Sequence, residues 1–577
     1  MDSRTAAHVL SQISALLEAK GEQKFKARAY AGAARAVTAL DTDDLAPLIK
    51  SGELADTPGI GPATLSVVRE LVETGESSYL NKLREGFPEG LIELLRVPGL
   101  GAAKIQVIHQ ALGVETVEDL ERVAQNGQLA ELPKFGKKTA ERILKGIEIM
   151  RRNVHLERYP AAVLEAHVLL SSVEKHPGIA RADVAGSIRR HNEVVADIDI
   201  VAGCKSDPVK VADSFARAPG VKTAMPGDQP GSVNIVFVDG THLDMHCVAD
   251  AEYGVALWRA TGSSAHVEEM SVLARQKGFE IDGNTLRRKG GKAVPLADEV
   301  AFFKALGLPV IPPEMREGMG EIEAAARGEL PNLVTYDDLR GVLHCHTEYS
   351  DGTSTIEEMA KAAQKRGWSY IGISDHSESA FYAGGLKRDK LLRQQDEIDA
   401  LNAKLKGFRI LKGIEADILA DGRLDYDAEV LDRMDFVIGS IHSRFSMDGD
   451  AMTKRVLAAL DDLHLTILAH PTGRLLLSRE PYAIDIEAVL EKAVAVGVAV
   501  ELNADPHRLD LDWRYCRRAK ELGVTIEIGP DAHSPASVDN VHFGIGMARK
   551  AWLEASEILN TRSAEDVIAF AQRRRGS

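Results

Sequence analysis

The spacing of apolar residues changes character twice along the chain. Up to about residue 150 they recur three and four apart, as in the runs 7–19 and 65–75, which predicts short amphipathic helices. From about 155 to 250 the period mixes. Asp197-Ile198-Asp199-Ile200 alternates strictly, which predicts a strand with both aspartates on one face. Ser232–Val238 and Thr241–Cys247 read as two further strands joined by the Asp239-Gly240 turn, so Asp244 is a third carboxylate on a strand. Beyond about 339, seven short apolar runs (341–343, 370–373, 410–414, 436–439, 465–468, 498–500 and 524–528) alternate mostly with helical stretches. That order predicts parallel strands with crossover helices. Ahead of them, Pro309-Val310-Ile311-Pro312-Pro313 and Pro331 bracket an acidic helical stretch and mark a semi-structured connector.

Length turns these regions into domains: cores rarely grow past roughly 250–300 residues, and the chain has 577. The net charge of -16 confines any nucleic-acid contact to local basic patches. Cys204, Cys247, Cys345 and Cys516 form no Cys-x-x-Cys pair, which argues against a disulfide framework or thiolate zinc site and fits a reducing compartment. No stretch approaches the roughly 18 apolar residues of a membrane span, and the start lacks a signal-peptide pattern. A soluble, cytoplasmic protein with no membrane contact is expected.

Thr57-Pro58-Gly59-Ile60-Gly61-Pro62 and Val97-Pro98-Gly99-Leu100-Gly101-Ala102 each sit between helical patterns. Their glycines permit a tight turn with backbone N–H groups open at a helix N-terminus, which is a helix-hairpin-helix signature for gripping a DNA backbone. A third copy, Leu132–Lys138, carries Lys134 where the first glycine would stand, so a loss of the fine geometry is expected there. Two carboxylates side by side on a strand repel unless cations lie between them. The Gly186-Ser187 turn and Arg189-Arg190 just upstream suit an anionic ligand. Together they suggest metal-dependent phosphoryl or nucleotidyl transfer; the alternative is an edge strand with two solvated aspartates.

The order of helix-hairpin-helix, Gly186-Ser187-Ile188-Arg189-Arg190, Asp197-Ile198-Asp199-Ile200, Asp244 and Thr261-Gly262-Ser263 resembles the family X DNA polymerases over about residues 1–325. The resemblance implies a DNA-end domain, fingers, palm and thumb. Asp197, Asp199 and Asp244 would hold two Mg²⁺ or Mn²⁺ ions while a primer 3′-hydroxyl attacks the dNTP α-phosphate. Gly186, Ser187 and Arg190 would hold the β- and γ-phosphates, with Gly262 and Ser263 also at the nucleotide. Lys26 and Tyr30 match residues that bind a 5′-phosphate. Three departures stand out. Arg259-Ala260 replaces a Tyr-Phe pair that lies against the sugar. Val267 replaces an asparagine that meets the base. Ala63 and Val67 occupy positions where relatives carry a Schiff-base lysine, so lyase activity is expected to be weak or absent. The first two imply weaker sugar discrimination or lower nucleotide affinity, unless Trp258 or Arg259 substitutes by another geometry.

In the last region most strand-like runs end in a ligand-type residue: His344 and His346 with Asp351, then Asp375-His376, Glu415, His442, His470, and Asp531 with His533; the sixth ends in Glu501. Sites in parallel barrels form at the strands' C-terminal ends, so a metal centre is expected. Imidazole with carboxylate suits Mn²⁺, Zn²⁺ or Fe²⁺ without choosing among them. Residues 339–577 resemble the PHP (polymerase and histidinol phosphatase) family. That implies a seven-stranded barrel and up to three ions: one on His344, His346, Glu415 and Asp531, a second on Asp351, His376 and His533, a third on Glu415, His442 and His470. Phosphodiester hydrolysis follows as the implied chemistry. Arg444 and Arg474 either steady the phosphate or form loop salt bridges, and Arg573-Arg574-Arg575 reads as an unpaired basic terminus, with contact to nucleic acid as the alternative.

The resulting expectation is a multidomain α and α/β protein with helical helix-hairpin-helix domains, a mixed α/β nucleotidyltransferase palm and thumb, and a (β/α)7 PHP barrel. The expected segments are a DNA-end-binding domain 1–85, a second helix-hairpin-helix domain 86–152, a palm 153–252, a thumb 253–325, a linker 326–338 and the PHP domain 339–577. The expected function is a monomeric gap-filling DNA repair polymerase acting on gapped or nicked DNA, as in base excision repair. Its PHP domain would be a 3′-5′ exonuclease or AP-endonuclease-type phosphodiesterase. The alternatives are a repair nuclease whose polymerase half mainly binds DNA, a DNA-end scaffold, and a PHP half acting on phosphomonoesters.

Overall fold

A computed structural model describes residues 1–577 except 21–23, 41, 43, 86–89 and 576–577. The expected boundary at 85/86 lies outside the described residues. Internal contacts divide the chain into two units: Met1–Glu157 with Ala161–Arg189 and Val194–Val310, and Ile311–Ser577 with Arg158–Pro160 and Arg190–Glu193.

The first unit opens with helices. Asp2 caps Ser3–Ala19 by accepting from the Thr5 amide at 2.8 Å. The apolar face of that helix packs with Lys24–Thr38 and Pro62–Thr74 around Leu10, Ile13, Leu17, Val37, Val68 and Leu71. A separate core of Leu91, Ile105, Ile108, Leu120, Ile143 and Ile147 joins the helices of 90–152. Gly59 and Gly99 take left-handed φ values of 93° and 80°, and Lys134 takes 71°. The third hairpin therefore keeps the turn that its sequence was expected to lose, with a lysine in a conformation glycine adopts more readily.

Next comes a five-stranded mixed sheet: β1 (Ile179–Val184), β2 (Ile198–Cys204), β3 (Val221–Pro226), β4 (Ser232–Phe237) and β5 (His242–Ala249), ordered β1-β2-β5-β4-β3. β2 and β5 run parallel with Asp199 opposite Asp244. Apolar residues of both strands, such as Ile200, Leu243 and Met245, are buried while the aspartates stay half-exposed. Helices Tyr253–Thr261, Ser264–Gln276 and Glu299–Ala305 and the hairpin 279–288 complete this unit.

The second unit is a barrel of parallel strands: β6 (Gly341–Val342), β7 (Tyr370–Ile373), β8 (Arg409–Lys412), β9 (Glu415–Asp417), β10 (Ile438–Ser440), β11 (Ile467–Leu468), β12 (Ala499–Asn503) and β13 (Ile526–Gly529). They form two sheets, β6-β7-β8 and β9 to β13 in order. The third expected run kinks at Gly413-Ile414 into β8 and β9. It stays paired across the kink, where the Gly413 amide donates to the Ile373 carbonyl at 2.8 Å and the Glu415 amide to Asp375 at 3.1 Å. The ring closes where the Ala532 amide donates to His344 (3.0 Å) and the His346 amide to Ala532 (2.8 Å). Leu343, Tyr370, Phe436, Ile438 and Ile467 fill the ring and pack on Val567 and Phe570 of the C-terminal helix Ala564–Gln572.

Two expectations change here. Arg574 donates to the carbonyls of Leu465 (2.9 Å) and Leu460 (2.6 Å), and Arg575 to Met434 (2.8 Å), so the basic tail is tied to the barrel through helix-end and loop carbonyls. The proline-rich connector is fixed within the second unit: Arg549 pairs with Glu314 at 2.7 Å and Arg517 donates to the Met319 carbonyl at 3.0 Å. Among the described residues no helix is long and apolar enough to cross a membrane.

Candidate metal centres

In the first unit, Asp199 and Asp244 project from neighbouring parallel strands, and Asp197 immediately precedes β2. Asn234 donates to Asp244 at 2.6 Å, and His246 Nε2 lies 3.6 Å from Asp199. Burial and the charges of Asp199 and Asp244 push Asp197 up to about 6. Burial likewise raises Asp244, against the Asn234 hydrogen bond. Three close carboxylates, with Asp197 and Asp244 raised, are a donor set that divalent cations relieve. Below about pH 6 a cation must displace a proton from Asp197. Mg²⁺ affinity is therefore expected to rise about tenfold per pH unit up to pH 6 and to flatten above it. Calorimetry of wild type minus Asp197→Ala checks this; a difference flat from about pH 5 to 7 would contradict it.

Gly186 presses on this cluster. It has φ +58°, and a Cβ there would stand 1.7 Å from Asp199 Oδ2. Gly186→Ala must push Asp199 out of place, so primer extension is expected to fall about 10²-fold, the scale of a 1 Å misplacement. A primer-extension time course checks it, and near-wild-type extension would count against the placement. Ser187 Oγ is buried without a hydrogen-bond partner. Arg189 makes a two-armed ion pair with Glu299 (3.0 and 2.9 Å) and donates to Thr261 Oγ1 at 2.7 Å, tying the turn to Thr261-Gly262; sequence reasoning missed this clamp. Arg190 is engaged in the second unit by Glu317 at 2.9 Å. Ser263 caps Ser264–Gln276 by accepting from the His266 amide at 3.2 Å.

A cleft of about 390 Å³ is lined by Ser232, Asn234, Asp244, His246, Arg259 and Ala260. Trp258 is fully buried, its ring 4.5 Å from that of Phe302 and tilted against it, and donates to His266 at 3.1 Å, so it supplies no wall to the cleft. Of the expected DNA contacts, Gly61 and Gly101 have ordinary φ (−98° and −89°), and a Cβ at either would meet nothing within 4 Å. No crowding inside the protein demands glycine there; its absence of a side chain leaves the helix-start amides open to close approach. Tyr30 is buried and stacked on Tyr79 at 5.8 Å, with the Lys26 ammonium 4.8 Å over the Tyr79 ring. Val67 is also buried in the helical core.

In the barrel, ligand atoms of three sets converge within 4.8 Å: His346, Asp351, His376 and His533; His344, His346 and Asp531; His376, Glu415 and His442. His346 and His376 each belong to two sets, and Glu415 also lies 3.5 Å from His344 and 3.8 Å from His346. His470 Nε2 joins through Glu415 Oε1 at 3.1 Å. Buried His344 Nε2, both nitrogens of His346, and Glu415 Oε2 lack hydrogen-bond partners. His376 Nδ1 lies 2.7 Å from Glu415 Oε2, yet it too lacks one. Lone pairs that converge without bonding each other fit divalent cations.

Surrounding groups aim these ligands. Glu501 meets His344 Nδ1 at 2.5 Å and Asp417 meets His442 Nδ1 at 2.6 Å, which turns each Nε2 toward the centre. Burial, which lowers His376, is outweighed by Glu415 and Asp351, which hold it up at about 10. Burial and the His376 and His533 charges press His346 down to about 3. Asp375 is not a ligand. It accepts from the Thr347 amide (2.8 Å) and hydroxyl (2.6 Å), Ser350 Oγ and Gln394 (2.5 Å), and so shapes the loop that carries Asp351. Arg474 is occupied by Asp512 at 2.8 Å and the Arg508 carbonyl at 3.0 Å, the loop salt bridge of the two alternatives. Arg508, which sequence reasoning passed over, reaches Asp531 at 3.5 Å and is the cation beside the cluster.

Family models match along the chain in the order helix-hairpin-helix domain (residues 1–77), SAM-like helix-hairpin-helix tandem (91–148), DNA polymerase beta thumb (256–317) and PHP domain (343–505). The chain is 38% identical over 577 residues, 99% of its length and all of the relative's, to the DNA polymerase/3′-5′ exonuclease PolX of Bacillus subtilis (strain 168). The chain belongs to the PolX family. The chain is also 30% identical over 256 residues to a probable phosphatase of Caldanaerobacter subterraneus subsp. tengcongensis, covering 41% of this chain and 93% of that one. A probable phosphatase of Syntrophotalea carbinolica is 28% identical over 40% of this chain and 94% of its own. The PHP match stops at residue 505, so in this PolX chain Asp531 and His533 join the centre by geometry.

Proposed function

We propose that the chain is a DNA-directed DNA polymerase that fills short gaps during repair and uses its PHP domain to remove nucleotides from 3′ ends. The six segments named above serve as DNA-end domain, second helix-hairpin-helix domain, palm, thumb, linker and PHP domain of a monomer. The observation that carries the reading is the pair of separate metal-ligand sets, Asp199 beside Asp244 in register and the converging histidines and acids of the barrel.

Asp197, Asp199 and Asp244 would hold Mg²⁺ or Mn²⁺, and the barrel ligands up to three Mn²⁺, Zn²⁺ or Fe²⁺ ions. When bound, these cations stabilise charge on attacking and leaving oxygens and make water a stronger nucleophile. The residues do the rest. Gly186 and Ser187, with Arg190, Gly262 and Ser263, receive the nucleotide. Gly59, Gly61, Gly99, Gly101 and Lys26 grip the DNA backbone. In the barrel, Arg508 pairs with a phosphate oxygen, and Glu501 and Asp417 keep His344 and His442 oriented. The test is a labelled gapped duplex with Mn²⁺ or Mg²⁺: extension with dNTPs and 3′ shortening without them. If the duplex is neither extended nor shortened, the reading fails.

Ala260 leaves the cleft without an aromatic wall beside the sugar. Preference for dNTP over rNTP is expected below about 10²-fold, since a pocket that does not obstruct an added hydroxyl rejects it weakly. Competing incorporation measures it, and Ala260→Phe is expected to raise it.

A further inference from the structure

Phe381 and Tyr382 are 86% and 61% exposed, an unusual cost for two adjacent large rings. They stand on a short turn, Phe381–Ala383, that follows the ligand His376 by five residues. The turn is held firmly: the Ala380 amide donates to Ser377 at 3.0 Å, Gly385 to Ala380 at 3.1 Å, and Leu386 back to His376 at 2.8 Å. The Tyr382 ring lies 6.2 Å from His442 and 6.4 Å from His376, and 6.2 Å edge-on from Phe381. These distances set the Tyr382 ring at the border of the ligand cluster. Arg508, 3.5 Å from Asp531, stands at the same ligand cluster. Exposed aromatic faces and a guanidinium at one ligand cluster offer the two contacts that nucleotides use, base on ring and phosphate on arginine.

We propose that Phe381 and Tyr382 are a stacking platform for the terminal base of a single-stranded 3′ end delivered to the PHP centre. A base inside a duplex has both faces covered by neighbours, so a frayed or mismatched terminal base reaches these rings most readily. Selection by stacking is indifferent to base identity and confers preference for melted over paired ends. The inference rests on the nuclease reading above.

The test crosses enzyme with substrate. Wild type, Phe381→Ala/Tyr382→Ala and Tyr382→Phe are given oligonucleotides ending in a mismatched thymidine or in an abasic residue. Loss of stacking is expected to raise KM on the thymidine end about tenfold, with kcat nearly retained, while Tyr382→Phe behaves as wild type. The double variant should also lose the wild-type preference for base over abasic ends. Equal losses on both ends, or none, overturn the proposal. A second readout is independent of cleavage: in EDTA, a 3′-terminal 2-aminopurine should be quenched by wild type and not by the double variant. If wild type cleaves nothing but the quench follows the rings, the nuclease reading fails and the base contact stands. If cleavage is normal and no quench is seen, the platform is wrong.

Discussion

Glu415→Gln is expected to lower 3′-end degradation on the order of 10³-fold, because charge stabilisation by bound metals is worth several kcal/mol. The side chain is 1% exposed, and its two oxygens lie within 2.7–3.8 Å of nitrogens on five histidines, His344, His346, His376, His442 and His470. Glutamine preserves the shape but removes the negative charge. It also turns an N–H₂ toward nitrogens whose lone pairs must stay free for cations. Metal content, measured by mass spectrometry on the purified chain, should fall with activity. Primer extension by the same preparation reports that the rest of the protein is folded. Degradation within tenfold of wild type would show that the shared carboxylate does not organise the site.

Asp199→Asn is the counterpart in the first unit. Asp199 lies between two fixed neighbours, Asp244 in register on the next strand and Gly186 pressed against its carboxylate. Asparagine fits the same space, so the sheet should hold. The loss of one anionic ligand between two cations is expected to cut extension on the order of 10³-fold or more. Degradation in the absence of dNTPs should persist. Extension that survives, measured on a gapped duplex in Mg²⁺, would remove Asp199 from the chemistry.

The candidate ligands of the barrel were legible because most are chemically committed residue types at or just beyond the end of an apolar run. Strand periodicity then dictates that they meet at one end of a parallel barrel. Their supports were harder to read. Asp375 looks like a ligand in sequence, and only the hydroxyl and amide donors around it reveal that its lone pairs are taken. Glu501 was visible as a strand-end acid, but its task depends on which nitrogen of His344 it faces. Arg508 lies in a loop without period, and its value comes from Asp531 reaching it across the fold. Trp258 could be weighed as a sugar contact until packing against Phe302 removed it from the cleft. At the third hairpin, Lys134 violates the glycine preference of its position, and surrounding structure overrides that preference. Propensity and motif thus locate chemistry, whereas orientation and lone-pair use require the folded neighbours.

The closure of the barrel sets an order of events at the ribosome. Its first run, ending in His344 and His346, pairs with Ala532, and the ring packs on a helix that ends at Gln572. Until nearly the whole chain has emerged, the first run has no partner on one side, and Asp531 and His533 have not yet joined their fellow ligands. The contacts of Asp197, Asp199 and Asp244 are complete some three hundred residues earlier, and domains fold in the order they are made. A nascent or C-terminally truncated chain would hold the strand pair that carries Asp199 and Asp244 while lacking the residues that complete the ligand sets of the barrel. Loss of the last helix should leave a synthetic enzyme with no opposing activity.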